Sequence, residues 1–176
     1  MRLVVENDLN SRNIQGEIIN VASNSDSEAG RLLSNFADTP FELDGKQYRS
    51  VESFWQGLYF PEGSDERGRI SQLSGRDAKK AAIGKPEGLK TIVYLNEPIE
   101  IGSPAHHELM RRAVRAKLEQ NPIVLNKLLE TGNKKITHVV VRKDGTLAPD
   151  SASIPGEVFS NILMDLRSEF RQKGNR

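Results

Sequence analysis

Residues 33 to 60 read LSNFADTPFELDGKQYRSVESFWQGLYF, and this segment contains signals for a turn, a hairpin and a helix in immediate succession. Asp44-Gly45 stands between two short alternating segments, a combination that favours a β-hairpin. Ser50 then precedes apolar residues that recur every three or four positions, so we expect Ser50 to cap an amphipathic helix. The apolar positions of this helix are Val51, Phe54, Trp55, Leu58 and Tyr59.

Helix signals outnumber strand signals in the rest of the chain. Apolar spacing or capping residues predict helices near Asp65, after Ser74, through Leu109 to Leu118, from Asn121-Pro122 to Gly132, and from Pro155 onward. Short β-branched runs predict strands at residues 3–5, 18–21, 91–95 and 136–141. We therefore predict an α-rich α+β fold, mostly helical with a few short antiparallel strands.

Length and composition limit the class of protein. The chain has 176 residues, a one-domain length that buries roughly 70% of its unfolded surface without a disulfide or metal. It contains no cysteine, which excludes disulfides, thiolate zinc sites and cysteine nucleophiles. Its 25 Lys and Arg residues nearly balance its 24 Asp and Glu residues, so no overall field favours nucleic acid or a membrane. No apolar run approaches the roughly 20 residues of a membrane span, and the N-terminus turns polar too early for a signal peptide. We expect a soluble, cytoplasmic protein with a single domain over residues 1–176.

Several familiar site types are absent from the sequence. It has no GxxxxGK[ST] phosphate loop, no GxGxxG dinucleotide motif and no GxSxG nucleophile elbow. The histidines do not resemble a zinc site, because the adjacent His106 and His107 point about 100° apart on a helix. We interpret this pair as a solvated helix start and His138 as a hydrogen-bonded structural residue. The sequence therefore predicts neither a metal nor a cofactor.

Polar residues in the segment 33–60 are candidates for a site. Asn35 lies in a turn before the hairpin, and Glu52 and Gln56 share a helix face that is not the apolar one and that we expect to be exposed. Glu52 also suits a simpler role, as a first-turn carboxylate that complements the helix dipole. Trp55, within the apolar stripe, is more often a core residue than a stacking platform for a ligand. The residues alone leave these interpretations open.

Short motifs follow one another in a characteristic order between residues 33 and 167. They are Leu33-Ser34-Asn35-Phe36, Pro40-Phe41, Asp44-Gly45, Ser50-Val51-Glu52, Gln56, Ala78-Lys79, Gln120-Asn121-Pro122, Leu128-Leu129, Thr131-Gly132, and Leu163-Met164 with Arg167. In this order and spacing they resemble the signature of the NADAR superfamily of YbiA-like proteins. The resemblance implies a YbiA-like domain that is α-rich and contains short strands.

The chain departs from the family pattern at several positions. Ser53 stands where the family has a histidine, and Tyr59 stands where it has a lysine. His138 falls about where the family has a glutamate. The family's tryptophan element has no counterpart, and Asp144 and Asp150 are the nearby acids that could replace it. The C-terminal half of the site is therefore remodelled, which indicates a divergent member with its own substrate.

The resemblance implies N-glycosidase chemistry, in which the bond between a ribose carbon and a nitrogen is hydrolysed. Glu52 is the implied catalytic carboxylate, since an oxocarbenium-like transition state needs a nearby negative charge. Lys79 is the second implied catalytic residue. It would be a buried lysine with a lowered pKa that forms a Schiff base with the opened ribose or protonates the leaving base. The implied substrate-binding residues are Ser34, Asn35, Phe36, Trp55, Gln56 and Arg76.

Three functions remain open at this point. The favoured one is removal of ADP-ribose from guanine in nucleic acid, which would make the chain an antitoxin paired with an ADP-ribosyltransferase toxin. This preference rests on the remodelled half of the site, which suits a substrate different from a small metabolite. The first alternative is an N-glycosidase that acts on phosphoribosylamino pyrimidines of the riboflavin pathway. The second is a module that binds ADP-ribose or a nucleotide without catalysis, and the presence of both Glu52 and Lys79 argues against it.

Overall fold

A computed structural model describes residues 17–174. In chain order the strands are β1 (Ile18–Asn20), β2 (Phe41–Leu43), β3 (Lys46–Tyr48), β4 (Thr91–Tyr94), β5 (Glu97–Glu100) and β6 (Lys135–Thr137). The helices are α1 (Glu28–Leu33), α2 (Val51–Gly57), α3 (Asp65–Ser71), α4 (Gly75–Ala81), α5 (Pro104–Gln120), α6 (Pro122–Glu130) and α7 (Gly156–Gly174). The strand predicted at residues 3–5 lies outside the described residues. None of the helices within residues 17–174 is long and apolar enough to cross a membrane.

The hairpin and the helix predicted between residues 41 and 59 are both confirmed. Strands β2 and β3 pair antiparallel, and Asp44 and Gly45 have φ values of 49° and 76°, as a tight two-residue turn requires. At the start of α2 the Ser50 hydroxyl accepts the amide N–H of Ser53 at 3.0 Å. The Ser53 hydroxyl in turn accepts the amide N–H of Ser50 at 3.1 Å. This reciprocal cap fixes the direction in which α2 leaves the hairpin.

The long helices supply most of the hydrophobic core. Their fully buried residues include Met110, Ala113, Leu118, Leu128, Phe159, Leu163 and Leu166. Helix α2 adds Phe54, which packs edge-on against Tyr48 of the hairpin with ring centroids 5.0 Å apart. Burial of each large side chain stabilises the fold by roughly 2 kcal/mol. The result is a single compact α+β domain, as predicted.

The strands of residues 17–174 form three two-stranded sheets. The β2–β3 and β4–β5 pairs are antiparallel hairpins. Strands β1 and β6 pair in parallel, with Ile19 opposite Ile136, which the sequence did not predict. Strands so far apart in the chain carry no local signal of their pairing. The parallel pair places the residues that follow Asn20 beside those that follow Thr137.

Other details also differ from the sequence prediction. The Ser74 side chain makes no capping hydrogen bond, and α4 begins instead at Gly75 in a left-handed conformation with φ of 48°. Strand β6 is shorter than predicted and ends at Thr137. His106 is 1% exposed rather than solvated, because its ring turns inward and its Nδ1 accepts the amide N–H of Gly102. Helix α1 and strand β5 were not predicted.

Candidate active site

A large open cleft lies between α2, α4 and the chain that follows β6. Its volume is about 1580 Å³. The residues that the sequence and the family resemblance single out come from separate parts of the chain, yet all of them line this cleft. They are Ser34, Asn35, Phe36, Glu52, Trp55, Gln56, Arg76 and Lys79. The structure therefore brings the whole predicted set together.

The loop after α1 presents Asn35 to the cleft. The Ser34 hydroxyl accepts the amide N–H of Phe36 at 3.2 Å, which closes a tight turn. The Asn35 carbonyl oxygen accepts the amide N–H of Glu52 at 3.0 Å. The Asn35 side chain is 4% exposed, and its Oδ1 makes no hydrogen bond to any residue from 17 to 174. A buried amide oxygen without a partner costs free energy, so this atom is a candidate to accept a hydrogen bond from a ligand.

Glu52 lies in the first turn of α2 and is 3% exposed, so its predicted exposure is wrong. The Asn35 loop covers the start of α2, which the spacing of residues within the helix could not reveal. Gln56 donates its Nε2–H to Glu52 Oε1 at 2.8 Å. Burial raises the pKa of the Glu52 carboxyl above its ordinary value. The hydrogen bond from Gln56, followed by the charges of Lys79 and Lys85, lowers this pKa in part. Glu52 therefore keeps its proton to a higher pH than an exposed glutamate does.

Trp55 and Tyr59 form the aromatic side of the cleft. Trp55 Nε1 donates to the Tyr59 hydroxyl at 3.2 Å, and that hydroxyl lies 3.3 Å from the hydroxyl of Ser153. Both rings are half-buried and line the cleft, and Trp55 also packs against the hydrophobic core. Lys85 Nζ lies 4.2 Å from the centroid of the Tyr59 ring, a close cation–π contact. Lys85 thus brings a positive charge to the position where Tyr59 replaces the family's lysine.

Helix α4 forms the basic side of the cleft. A Cβ atom on Gly75 would lie 2.7 Å from the Phe36 carbonyl oxygen, so glycine is needed for α4 to approach this closely. Arg76 and Lys79 follow on α4, and Lys79 Nζ lies 5.8 Å from the centroid of the Phe36 ring. Lys79 is exposed, so the expectation of a buried lysine is wrong. The buried face of α4 belongs instead to Ala78, which is 0% exposed.

The chain between His138 and Ser153 forms the remaining wall. Asp150 lines the cleft, and its Oδ1 accepts the amide N–H of Gly156 at 2.8 Å. Asp144 lies outside the cleft lining and accepts hydrogen bonds from Thr146 within its own turn. Of the two acids that could replace the family's tryptophan element, only Asp150 reaches the site. Within residues 17–174 no group of three or more His, Cys, Asp or Glu side chains is placed to hold a metal ion.

Sequence reasoning missed His138 and Lys85 as members of the cleft, whereas it named Asp150 as one of two acids that could belong to the site. The signal for His138 was its place at the position of the family's glutamate, which we interpreted as structural. Lys85 reaches the cleft through tertiary packing, and no local pattern predicts that arrangement.

Comparison with known proteins assigns the chain to a family. The model for the family of bacteriophage protein GP30.3 matches residues 28–168. The chain belongs to this GP30.3 family. The chain is also similar to a 17.1 kDa protein of the Gp30-rIII intergenic region of Enterobacteria phage T4. It is 32% identical over 138 residues, which cover 76% of this chain and 88% of the phage T4 protein.

The chain also resembles a solved bacterial protein. The NMR structure of E. coli YbiA matches with a TM-score of 0.63 and 23% sequence identity, covering 92% of this chain and 89% of YbiA. This likeness confirms the YbiA-like fold that the NADAR resemblance implied. At this level of identity the match concerns the fold alone.

Proposed function

We propose that the protein is an N-glycosidase that hydrolyses the C–N bond between a ribose and a base, and that its substrate is ADP-ribosylated guanine in nucleic acid. The observation that carries the proposal is the pairing of Asn35 with Glu52. An amide oxygen without a hydrogen-bond partner among residues 17–174 and a buried carboxyl lie in one cleft, and a backbone hydrogen bond of 3.0 Å joins their segments. The amide oxygen suits a ribose hydroxyl, and the carboxyl suits the neighbouring anomeric carbon.

The state of Glu52 supports a role at the reacting bond. Burial favours its protonated form, and a protonated carboxyl can donate to the nitrogen of the departing base. Once ionised, the same carboxylate stabilises the positive charge that develops on the ribose. Gln56 donates a hydrogen bond to Oε1 of Glu52, so Oε2 of Glu52 remains for the contacts with the substrate.

The size and charge of the cleft support a substrate with several phosphates. A volume of about 1580 Å³ exceeds the roughly 300–1,000 Å³ of most small-molecule sites. The cleft lining contains more cations (Arg76, Lys79, Lys85, Lys90, Arg142 and Lys143) than carboxyl groups (Glu52, Glu87, Glu100 and Asp150). Phe36 and Trp55 add rings on which a base can stack. These features favour ADP-ribose on a nucleotide over a phosphoribosylamino pyrimidine, and an ADP-ribosyltransferase would be the partner that supplies such a substrate.

Base release distinguishes the candidate functions. The protein is incubated with an oligonucleotide that carries ADP-ribosylated guanine and, separately, with a phosphoribosylamino pyrimidine. We expect restoration of unmodified guanine from the oligonucleotide. Turnover of the pyrimidine alone would assign the metabolite reaction instead. Thermal stabilisation by ADP-ribose without turnover of either compound would identify a binding module.

A further inference from the structure

The imidazole of His138 is fixed in the wall of the cleft. Its Nδ1 makes a hydrogen bond with the carbonyl oxygen of Val21. The ring packs edge-to-face on Phe159, with centroids 5.2 Å apart and ring planes at 72°. Because a carbonyl oxygen can only accept, Nδ1 carries a proton in this contact. In the neutral ring, Nε2 is then an acceptor with a free lone pair.

The backbone around His138 is held as firmly as the ring. The Asn20 side chain makes two hydrogen bonds with Val139, the residue that follows His138. Its Nδ2 donates to the Val139 carbonyl and its Oδ1 accepts the Val139 amide N–H, both at 2.8 Å. On the other side α7 approaches closely, and a Cβ atom on Gly156 would lie 2.4 Å from the His138 carbonyl oxygen. A side chain that contacts a reacting atom needs a rigidly held backbone, because catalytic geometry tolerates positional errors of only about 0.5 Å.

The second ring nitrogen is available to the cleft. His138 is half-buried and lines the same cleft as Asn35 and Glu52. Its Nε2 makes no hydrogen bond to any residue between 17 and 174. This nitrogen is accessible rather than buried. A rigidly held basic nitrogen that is accessible and unpaired suits proton transfer with a bound water or substrate.

We propose that His138 Nε2 is the proton acceptor for the water that attacks the ribose, an assignment that rests on the proposed N-glycosidase function. The water oxygen bonds to the anomeric carbon, and one water proton passes to Nε2. The electron pair of the C–N bond leaves with the base nitrogen, which takes the proton of the Glu52 carboxyl. Exchange through solvent then returns the imidazolium and the Glu52 carboxylate to their starting states.

Substitution of His138 by asparagine distinguishes the roles of its two ring nitrogens. In His138→Asn the side-chain amide can still donate to the Val21 carbonyl, as Nδ1 does, but nothing replaces Nε2. We expect kcat to fall by on the order of 10²-fold or more, with KM and the melting temperature close to those of the wild type. In His138→Ala, added imidazole should restore part of the lost kcat, which a purely structural role would not allow.

His107 supplies a matched control. Its Nε2 makes a hydrogen bond with the Ser153 carbonyl oxygen, and it lies outside the cleft lining. His107→Gln keeps a donor at that position and should leave kcat unchanged. A fully active His138→Asn protein would overturn the assignment of His138 and leave the proposed function intact. A wild-type protein that releases base from neither substrate would overturn the N-glycosidase proposal, and the assignment of His138 with it.

Discussion

Lys117 Nζ lies 2.8 Å from the carbonyl oxygen of Ser34 and 2.8 Å from that of Leu32. Lys117 is 1% exposed, and the carbonyls that it binds belong to the end of α1 and to the loop that carries Asn35. The last carbonyls of a helix lack partners within the helix and favour a positive charge. Helix α5 therefore holds one wall of the cleft through a buried amine.

The burial of Lys117 predicts a pH-dependent stability. Desolvation lowers the pKa of Lys117 from 10.5 to about 7. Between these values the unfolded chain binds more protons than the folded protein, so the contribution of Lys117 to the free energy of unfolding rises with pH. The rise is at most about 1.4 kcal/mol per pH unit, and the contribution is lowest below a pH of about 7. Lys117→Met should abolish this rise in urea unfolding measured across the window.

The exposed Lys80 is the control for this measurement. Lys80→Met should keep the pH dependence of the wild type. An unchanged slope in Lys117→Met would mean that the pKa of Lys117 is not lowered in the folded protein. Lys117→Met should also bind ADP-ribose more weakly. Methionine cannot donate to the Ser34 carbonyl, so the loop that carries Asn35 loses this hydrogen bond.

Glu52→Gln removes the proposed acid while keeping its volume. We expect kcat to fall by on the order of 10²- to 10⁴-fold. Because the folded-state pKa of Glu52 is raised, its contribution to stability is present below the unfolded pKa and is lost as pH rises through the folded value. Glutamine has no such dependence, so at neutral pH the variant should be as stable as the wild type or more stable. Urea unfolding and base release measure the two effects, with the exposed Glu42→Gln as the control. Full activity in Glu52→Gln would remove Glu52 from the mechanism.

Local chemistry explains which parts of the fold and the site could be predicted from the sequence. The Asp44-Gly45 turn and the Ser50 cap depend on neighbouring residues, and both were predicted correctly. The burial of Glu52 and of Lys117 depends on loops and helices that meet only in the folded chain. Sequence patterns therefore located the residues of the cleft, whereas their exposure and proton affinity required the structure.

Gly75→Ala should displace α4 from the loop that it packs against. The residue has φ of 48°, and an added Cβ would lie 2.7 Å from the Phe36 carbonyl oxygen. Alanine must therefore strain the backbone or move α4, at a cost of about 1–3 kcal/mol. Arg76 and Lys79 move with α4, so the stabilisation by ADP-ribose should shrink as well. Thermal unfolding with and without ADP-ribose measures both effects.

Gly84 supplies the matched control for Gly75. A Cβ atom there would meet no atom of the described residues within 4 Å. Gly84→Ala should leave both the melting temperature and the ligand-induced stabilisation nearly unchanged. Equal behaviour of the two alanine variants would show that the contact between Gly75 and Phe36 does not position the basic side of the cleft.

Lys79 distinguishes two chemical routes. A lysine that forms a Schiff base reacts as the neutral amine, which desolvation in a buried site favours, and Lys79 is exposed to solvent. Its location on the basic side of the cleft, beside the ring of Phe36, suits a contact with the phosphates of the substrate. We therefore expect hydrolysis through Glu52 and an activated water, with Lys79 as a binding residue.

Lys79→Met should raise KM several-fold with little change in kcat. It should also weaken the dependence of kcat/KM on salt, because a phosphate contact has been removed. Borohydride added during turnover should trap no adduct on this residue, and Lys80→Met should behave as the wild type. A borohydride-trapped peptide at Lys79, together with an inactive Lys79→Met protein, would instead assign nucleophilic catalysis to the lysine. Glu52 would then act on the leaving base alone, and the Glu52→Gln variant should still form the trapped adduct, only more slowly.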